Sequence, residues 1–404
     1  MAKPWPVSSG LSAELLSIEG AAALRPHWDD LASRALEPNA FFAAPTALAG
    51  MRHLPERRGA VLLIAWRGAG ETRRLVGLLP LARARGRFVN PLPIRRAAAH
   101  YGTLSTPLLD PDRPAETLAA MLAALGRAGI RAVLLPYLAD EGPVAAALAE
   151  AAAAAHIPIE RLESHRRAML RSQLPGAAYV KATLEPRRRK EADRQRRRLA
   201  DEGRLAFDVA RSEEEVAAAL ERFLDLEAAG WKGQAGTDLK RAAGAASFIR
   251  EAARDGAREG SFRVATLTLD GRAIAAGLVT IAGRRAFYIK TAYDEALARF
   301  SPGLLLTLDL TSHLLDDSAI DDADSIAVAD HPMIDRIWTD RFAVASILVG
   351  TRPGGGPAFR VAVVFERARE SAWAWVKARS AQLRVSRAPG GKDSGKKAGA
   401  AEPS

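Results

Sequence analysis

The sequence predicts an α/β (α+β) protein of two mixed halves, each with a central sheet flanked by helices. Three observations lead there. Strand-type apolar alternation is interleaved with helical spacing along the chain. In the second half, the tight turns Asp270-Gly271 and Gly283-Arg284 join three strand-like segments into an antiparallel meander. The halves share an outline of strands, helix, strand, helix, with no tight repeat at solenoid periods of about 20–50 residues.

In the first half, residues 1–40 read as a lead-in and a helix, with His27, Trp28 and Leu31 at helical spacing. Val61–Trp66 and Leu75–Leu81 are predicted strands joined by the turn Gly68–Glu71. A loop starts at Pro107–Asp110, a helix covers Ala115–Gly129, a buried strand Ala132–Tyr137 and an alanine-rich helix Val144–Ala155, with Ala168–Gln173 as a further strand. Residues 174–204 form a connector whose basic part, Pro186–Arg204, is helical and stops at Gly203.

The second half opens with a helix Ser212–Ala228, where Ser212 and Glu215 have capping-box spacing. A helix within Asp238–Glu259 precedes the meander Phe262–Leu269, Ala273–Ile281 and Ala286–Thr291. Ser301-Pro302-Gly303 opens an apolar helix, Leu304–Leu315. A strand Ser325–Ala329, a short helix Pro332–Arg341, strands Val344–Val349 and Arg360–Phe365, and a helix Glu366–Leu383 complete the prediction. The Gly-, Ala-, Lys- and Ser-rich end, 384–404, reads as a disordered basic tail.

The net charge of +11 comes from two places. Arg187–Arg198 holds eight basic and two acidic residues, and Lys377–Ser404 holds seven and two, so the rest of the chain is neutral. A protein that coats nucleic acid with a uniformly basic surface is therefore excluded. The Arg187–Arg198 helix has no interleaved aromatics for base stacking. It reads either as a solvated connector in an arginine-biased sequence or as a grip for a polyanion. With no cysteine, disulfides, cysteine nucleophiles and thiolate metal sites are excluded. Glu14 and Glu19 interrupt any signal-peptide core, and no apolar run is long enough to span a membrane, so a cytoplasmic protein is expected. Scattered histidines without an H-E-x-x-H pattern give no metal expectation, and no G-x-S-x-G elbow marks a serine hydrolase.

Several residue groups can carry chemistry. A helix start at Ser301, Pro302 and Gly303 can receive an anion, because its first amides and its dipole both favour negative charge. It can equally be an ordinary capped helix. Trp231 and Lys232 on a glycine-flanked loop read as a pocket wall or as core and surface, and Glu227, one turn earlier, reads as a general base or a solvated carboxylate. Asp330 and His331 follow a buried strand, where sites of open sheets form, and His331 can act as a base. Asp335, Arg336, Trp338, Asp340 and Arg341 can form an ion-pair surface.

The order of the second half, two helices, three antiparallel strands, helix, strand, helix and strand, is that of the GNAT (acyl-CoA N-acyltransferase) fold. The sequence resembles the CelD/BcsL (cellulose biosynthesis protein CelD-like) family of GNAT-fold acetyltransferases, itself similar to the FemAB transferases. The resemblance rests on RRRKEADRQRRRLADEG (187–203), LEAAGWKGQAGTDL (226–239), LTLDGRAIAAGL (267–278) and YIKTAYDEALARFSPGLLL (288–306), and covers about residues 175–330. It departs from the family in two places. The Arg-x-x-Gly-x-Gly/Ala phosphate loop of ordinary GNAT enzymes is absent, with Arg299…Gly303 standing there, and Ala329–Arg341 replaces the Gly-Asp and Tyr-Lys pairs of many relatives.

The resemblance implies two tandem GNAT-like domains: a divergent first domain (1–173), the basic connector (174–204) and an active second domain (205–383). It implies transfer of an acetyl or other acyl group from acetyl-CoA (acyl-CoA) to an amine or hydroxyl of a small-molecule or glycan acceptor, by direct attack on the thioester. Glu227, Tyr288, Lys290, Tyr293, Asp294 and His331 would be the catalytic set: a strand N–H polarises the carbonyl, Tyr288 or Tyr293 protonates the thiolate, and Asp294 orients the acceptor. Arg299, Ser301, Gly303 and Leu304 would hold the donor, and Trp231, Lys232, Arg194, Arg197 and Trp338 the substrate. Exopolysaccharide, cellulose or cell-envelope metabolism, alongside polysaccharide-synthesis machinery, is the implied setting. Two alternatives stay open: a FemAB-like aminoacyl transferase using tRNA at the arginine run, and a catalytically silent regulatory subunit.

Overall fold

The computed structural model describes residues 10–57, 59–83, 93–99, 103–234 and 236–386. The tail expected over 384–404 lies outside the described residues from 387 on. The first half runs β1 (Leu11–Ser17), α1 (Ala21–Ser33), α2 (Ala44–His53), β2 (Val61–Arg67), β3 (Arg74–Arg83), β4 (Ile94–Ala97), β5 (Leu108–Leu109), α3 (Pro114–Arg127), β6 (Ala132–Ala139), α4 (Pro143–Ala154) and β7 (Ile159–Leu170). Two connector helices follow, α5 (Gly176–Thr183) and α6 (Pro186–Asp201). The second half runs β8 (Leu205–Ala210), α7 (Glu213–Ala229), α8 (Trp231–Gln234), α9 (Ala245–Arg258), β9 (Phe262–Leu269), β10 (Arg272–Ala282), β11 (Arg285–Tyr293), α10 (Pro302–Asp316), β12 (Asp322–Asp324), β13 (Asp340–Gly350) and α11 (Gly356–Ser386). Among the described residues no helix is long and apolar enough to cross a membrane.

All strands join one mixed sheet in the order β1-β2-β3-β4-β6-β13-β7-β12-β11-β10-β9-β8, with β5 beside β3. The order reads the same from both ends. Each half contributes an antiparallel meander and one parallel pair, β4 with β6 and β11 with β12. The last strands are then exchanged: β13 of the second half pairs with β6, β7 of the first half pairs with β12, and the two pair with each other. The fold is thus two similar halves fused through a shared centre.

Helices cover both faces of the second-half meander, as alternation requires. Val264, Ala276 and Leu278 pack on α7 and α9, while their neighbours Ala265, Ala275 and Val279 pack on the side of α5, α6 and α10. The predicted capping box is present at the start of α7, with Ser212 and Glu215 exchanging hydrogen bonds. Helix α2 of the first half packs on α9, and His53 Nε2 lies 2.5 Å from Glu251 Oε2 across that contact.

Several predicted elements are corrected. Arg360–Phe365 is helical, part of α11, because β13 is already flanked by β6 and β7 and the left-handed glycines Gly354, Gly355 and Gly356 turn the chain off the sheet. The strand expected at Ser325–Ala329 lies earlier, at Asp322–Asp324, and the helix expected over Pro332–Arg341 shrinks to one 3-10 turn at Ile334–Arg336 before β13 begins. Strands β1 and β8 and helix α2 were not predicted; both strands lie at sheet edges and carry only part of an apolar face.

Where the halves meet, Glu37 is buried against the start of α4. A Cβ on Gly142 would stand 1.6 Å from its Oε1, so the glycine makes room for the carboxyl. Burial pushes this carboxyl up from 4.5 to about 7, against the pull of Arg285 and the Val144 amide. Between those pH values the folded protein holds a proton that the unfolded chain has released. Stability therefore falls as pH rises through that window, by up to about 3 kcal/mol. Denaturant melts of Glu37→Gln should lose this slope.

Candidate active site

The second half leaves one sheet position open. Parallel pairing of β11 with β12 stops after Arg285–Phe287, opposite Asp322–Asp324. Among the described residues, no strand pairs with β11 on that side from Tyr288 onward. The corresponding gap in the first half is filled. There β4 pairs with β6 only over Ile94–Arg96, but the chain itself returns: Ser105 N–H donates to Tyr137 O, Ala139 N–H donates to Thr106 Oγ1, and Asn39 Nδ2 holds the carbonyls of Leu104 and Thr106. Residues 103–109 are buried in that slot.

Opposite the open edge, β11 carries a bulge. Leu278 pairs with Lys290 and Val279 with Tyr288, so Ile289 is an extra residue. One inserted residue reverses the facing of everything after it. Tyr288, before the bulge, points to the α10 side; Lys290 and Ala292, after it, point to α7; Thr291 and Tyr293 return to α10. The bulge thus sorts the candidate residues into two groups.

On the α10 side is a buried run of hydroxyls. Thr291 Oγ1 donates to Tyr288 Oη at 2.5 Å, Tyr288 Oη lies 3.4 Å from Thr307 Oγ1, and Thr307 Oγ1 donates to Gly303 O at 2.8 Å. Burial raises the Tyr288 phenol above its ordinary value, against the hydrogen bonds from Thr291 and Thr307. The phenol therefore keeps its proton at neutral pH. A Cβ on Gly277 would stand 2.8 Å from the Tyr288 ring, so this strand glycine makes the space the phenol occupies.

On the α7 side, Lys290 Nζ lies 2.8 Å from Glu227 Oε1, and Leu239 N–H donates to Glu227 Oε2 at 2.9 Å. The carboxylate is almost fully buried, with 1% of its side chain exposed. The two residues, proposed separately from the sequence, form one pair.

Helix α10 begins beside both groups. Ser301 does not cap it, which corrects the expectation. Its backbone is left-handed (φ 51°), because it also closes the preceding 3-10 helix Glu295–Phe300, and no side chain caps α10. Pro302 takes the first position as predicted, and Gly303 packs so close to Tyr293 that a Cβ would meet the ring at 3.2 Å. Leu304 is half-buried, its amide donating to Ser301 O. Arg299 is exposed, stacked over Phe300 and 3.3 Å from Glu202. The start of α3 repeats this geometry, with left-handed Arg113 followed by Pro114, which underlines the kinship of the halves.

Other candidates are placed differently. Asp294 caps the 3-10 helix through Ala296 N–H and pairs with Arg272 at 2.6 Å. It lines an open cleft of about 580 Å³ with Tyr293, Glu295, Arg222 and Gln234. His331 sits in a turn, its Nδ1 3.4 Å from the amides of Met333 and Ile334. Trp338, expected at the substrate or on an ion-pair surface, is fully buried, which corrects both expectations. Its Nε1–H donates to Thr311 Oγ1 at 2.9 Å and its ring packs on Tyr288, so it supports the phenol from behind. Trp231 and Lys232 begin α8; their side chains lie outside the described residues.

Helix α6 lies along α10 with Ala192 and Leu199 inward. Arg196, which sequence reasoning passed over, bonds Asp309 of α10 at 2.6 Å and anchors the helix there. Arg194 is exposed and forks onto Glu191, and Arg197 reaches the Asp193 carbonyl. Among the described residues, no group of three His, Asp or Glu could hold a metal.

Comparison with known proteins agrees with this geometry. A family model described as an acetyltransferase (GNAT) domain matches residues 186–326. Among solved structures, the chain is similar to the C-terminal domain (DUF2156) of a putative lysylphosphatidylglycerol synthetase from Agrobacterium fabrum, at 13% identity over 86% of this chain and 96% of that one, with a TM-score of 0.51. It is also similar to FemX, at 10% identity over 80% and 95% of the two chains, with a TM-score of 0.51. At these identities the likeness is one of fold. No curated protein matches the sequence. The class is therefore a GNAT acyltransferase fold, with the matched domain containing α6, the meander and α10.

Proposed function

We propose that the chain transfers an acetyl or other acyl group from acyl-CoA to an amine or hydroxyl acceptor, with the second half as the transferase. The observation that carries this is the open edge of β11 beside the uncapped start of α10. Acyl-CoA would supply the activated acyl group as a thioester. Pro302 has no N–H and the amides of Leu304 and Leu305 bond Ser301 O, so the Gly303 N–H and the dipole of α10 are what suit its phosphates. The unpaired edge of β11 offers backbone groups to the donor, and the Tyr288 phenol holds a proton where a leaving thiolate needs one. Glu227 and Lys290 hold the bulge in place, and the 580 Å³ cleft at Tyr293 and Asp294 is a candidate acceptor entrance. A glycan or small-molecule acceptor in polysaccharide or envelope metabolism is the reading the CelD/BcsL resemblance supports.

Gly303→Asp sets a negative charge against the donor phosphates; its Cβ also crowds the Tyr293 ring at 3.2 Å, so the melting midpoint of the variant is read beside its binding. Calorimetry with acetyl-CoA should show binding by the intact protein and at least a tenfold loss, by order of magnitude, in the variant. Absence of binding by the intact protein would remove the donor assignment.

A second reading, FemAB-like transfer from aminoacyl-tRNA, is favoured by one observation: Arg187, Lys190, Arg197 and Arg198 form no ion pair among the described residues, on a helix anchored to α10. Charged tRNA whose binding falls on replacing these four with Gln, together with no binding of acetyl-CoA, would select it.

A further inference from the structure

A second cleft, of about 650 Å³, opens on the other side of the strand exchange, where three strands lose regularity at one level. Opposite Ser346 of β13, strand β6 sets two residues, Pro136 and Tyr137, where one would pair, and strand β7 inserts Leu162. Pro136 lacks the N–H a central strand needs, which forces the bulge. Tyr137 takes a left-handed backbone (φ 53°), costly for a bulky residue. Strand β4 has departed after Arg96, so nothing from β4 closes the gap beside Pro136.

The charges around this gap feel opposite charges only at longer range, Arg96 from Glu366 and Glu370 from Arg369 and Arg367. The side chains of Arg96, Glu163 and Glu370 form no ion pair or hydrogen bond among the described residues, although all three line the cleft. Arg369 is satisfied by Glu366 at 2.7 Å. Burial, and then repulsion from Arg369, pushes the Arg96 guanidinium down. Burial, and then repulsion from Glu163, pushes the Glu370 carboxyl up. A half-buried guanidinium without a partner is completed by an anion, and two facing carboxylates by a cation. Tyr137 and Ser346 also line the cleft.

The geometry points to a binding site for a small zwitterion of amino-acid type, its carboxylate on Arg96 and its ammonium between Glu163 and Glu370. The size of the cleft is in the range of small-molecule sites. The site shares no residue with β11 or α10, so it stands independently of the transferase reading.

The test uses the full-length protein and the common free amino acids, each in turn, read by thermal melting and calorimetry. At least one should raise the melting midpoint and bind with one site per chain. Arg96→Gln should weaken that binding about tenfold or more, and Glu163→Gln should weaken it as well. If Arg96→Gln fails to fold, Ser371→Trp, on the exposed face of α11, fills the cleft and should abolish binding. The assignment is overturned if no amino acid binds, if binding survives Arg96→Gln or Ser371→Trp, or if acetate alone binds as tightly as the amino acid.

Discussion

Tyr288→Phe should lower the rate of thioester cleavage by about a hundredfold or more, as expected when a positioned proton donor is lost. Release of free thiol from acetyl-CoA is the readout. The ring stays, so its packing against Trp338 and the space opposite Gly277 are kept. Only the hydroxyl goes, and with it the bond from Thr291 and the contact with Thr307. Thr307 keeps its bond to Gly303 O, so the cost in stability should stay near 1 kcal/mol. Affinity for acetyl-CoA, set by α10, should be nearly unchanged. A variant that melts normally and cleaves at the parental rate would remove Tyr288 from the chemistry.

Arg167→Met should cost about 3–5 kcal/mol of folding stability, the largest effect expected in the molecule. Arg167 of β7 is buried at the exchange centre, bonded to Asp324 of β12 and to the Thr103 carbonyl. Its loss strands a fully buried carboxylate. Replacing Asp324 as well should recover only part of the loss. Asp324 also accepts the Ile326 amide, and Ile326 has a left-handed backbone (φ 53°), a conformation a β-branched residue adopts at a cost. Denaturant unfolding of the two variants checks both statements. Because β7 and β13 tie each half to the other, unfolding should follow one transition.

What the sequence made legible was local. The meander turns, the capping box at Ser212 and the Pro302 helix start are set by residues within a few positions of one another, and all three stand in the structure. The strand exchange is set by pairing between residues near 160 and near 345, which no window along the chain reveals. For the same reason Arg360–Phe365 reads as a strand: its β-branched run fits one, but the strand before it, β13, is already flanked by β6 and β7. The site followed the same division. Tyr288, Lys290 and Glu227 were identifiable by residue type, but the bulge at Ile289 that sends Tyr288 and Lys290 to opposite faces was not. Thr291 and Thr307 carried no signal, since a hydroxyl becomes informative only when its partner is known. Trp338 sat among charges in sequence and was read as surface, whereas a turn folds it under Tyr288.

The central claim is that the donor lies along β11 and the start of α10, and in the second half alone. Amide hydrogen exchange with and without acetyl-CoA tests it directly. The account predicts added protection at residues 288–293 and 303–305, with residues 103–109 and the start of α3 unchanged. Protection confined to the first half, or none at β11 and α10 under conditions where acetyl-CoA binds, would contradict it.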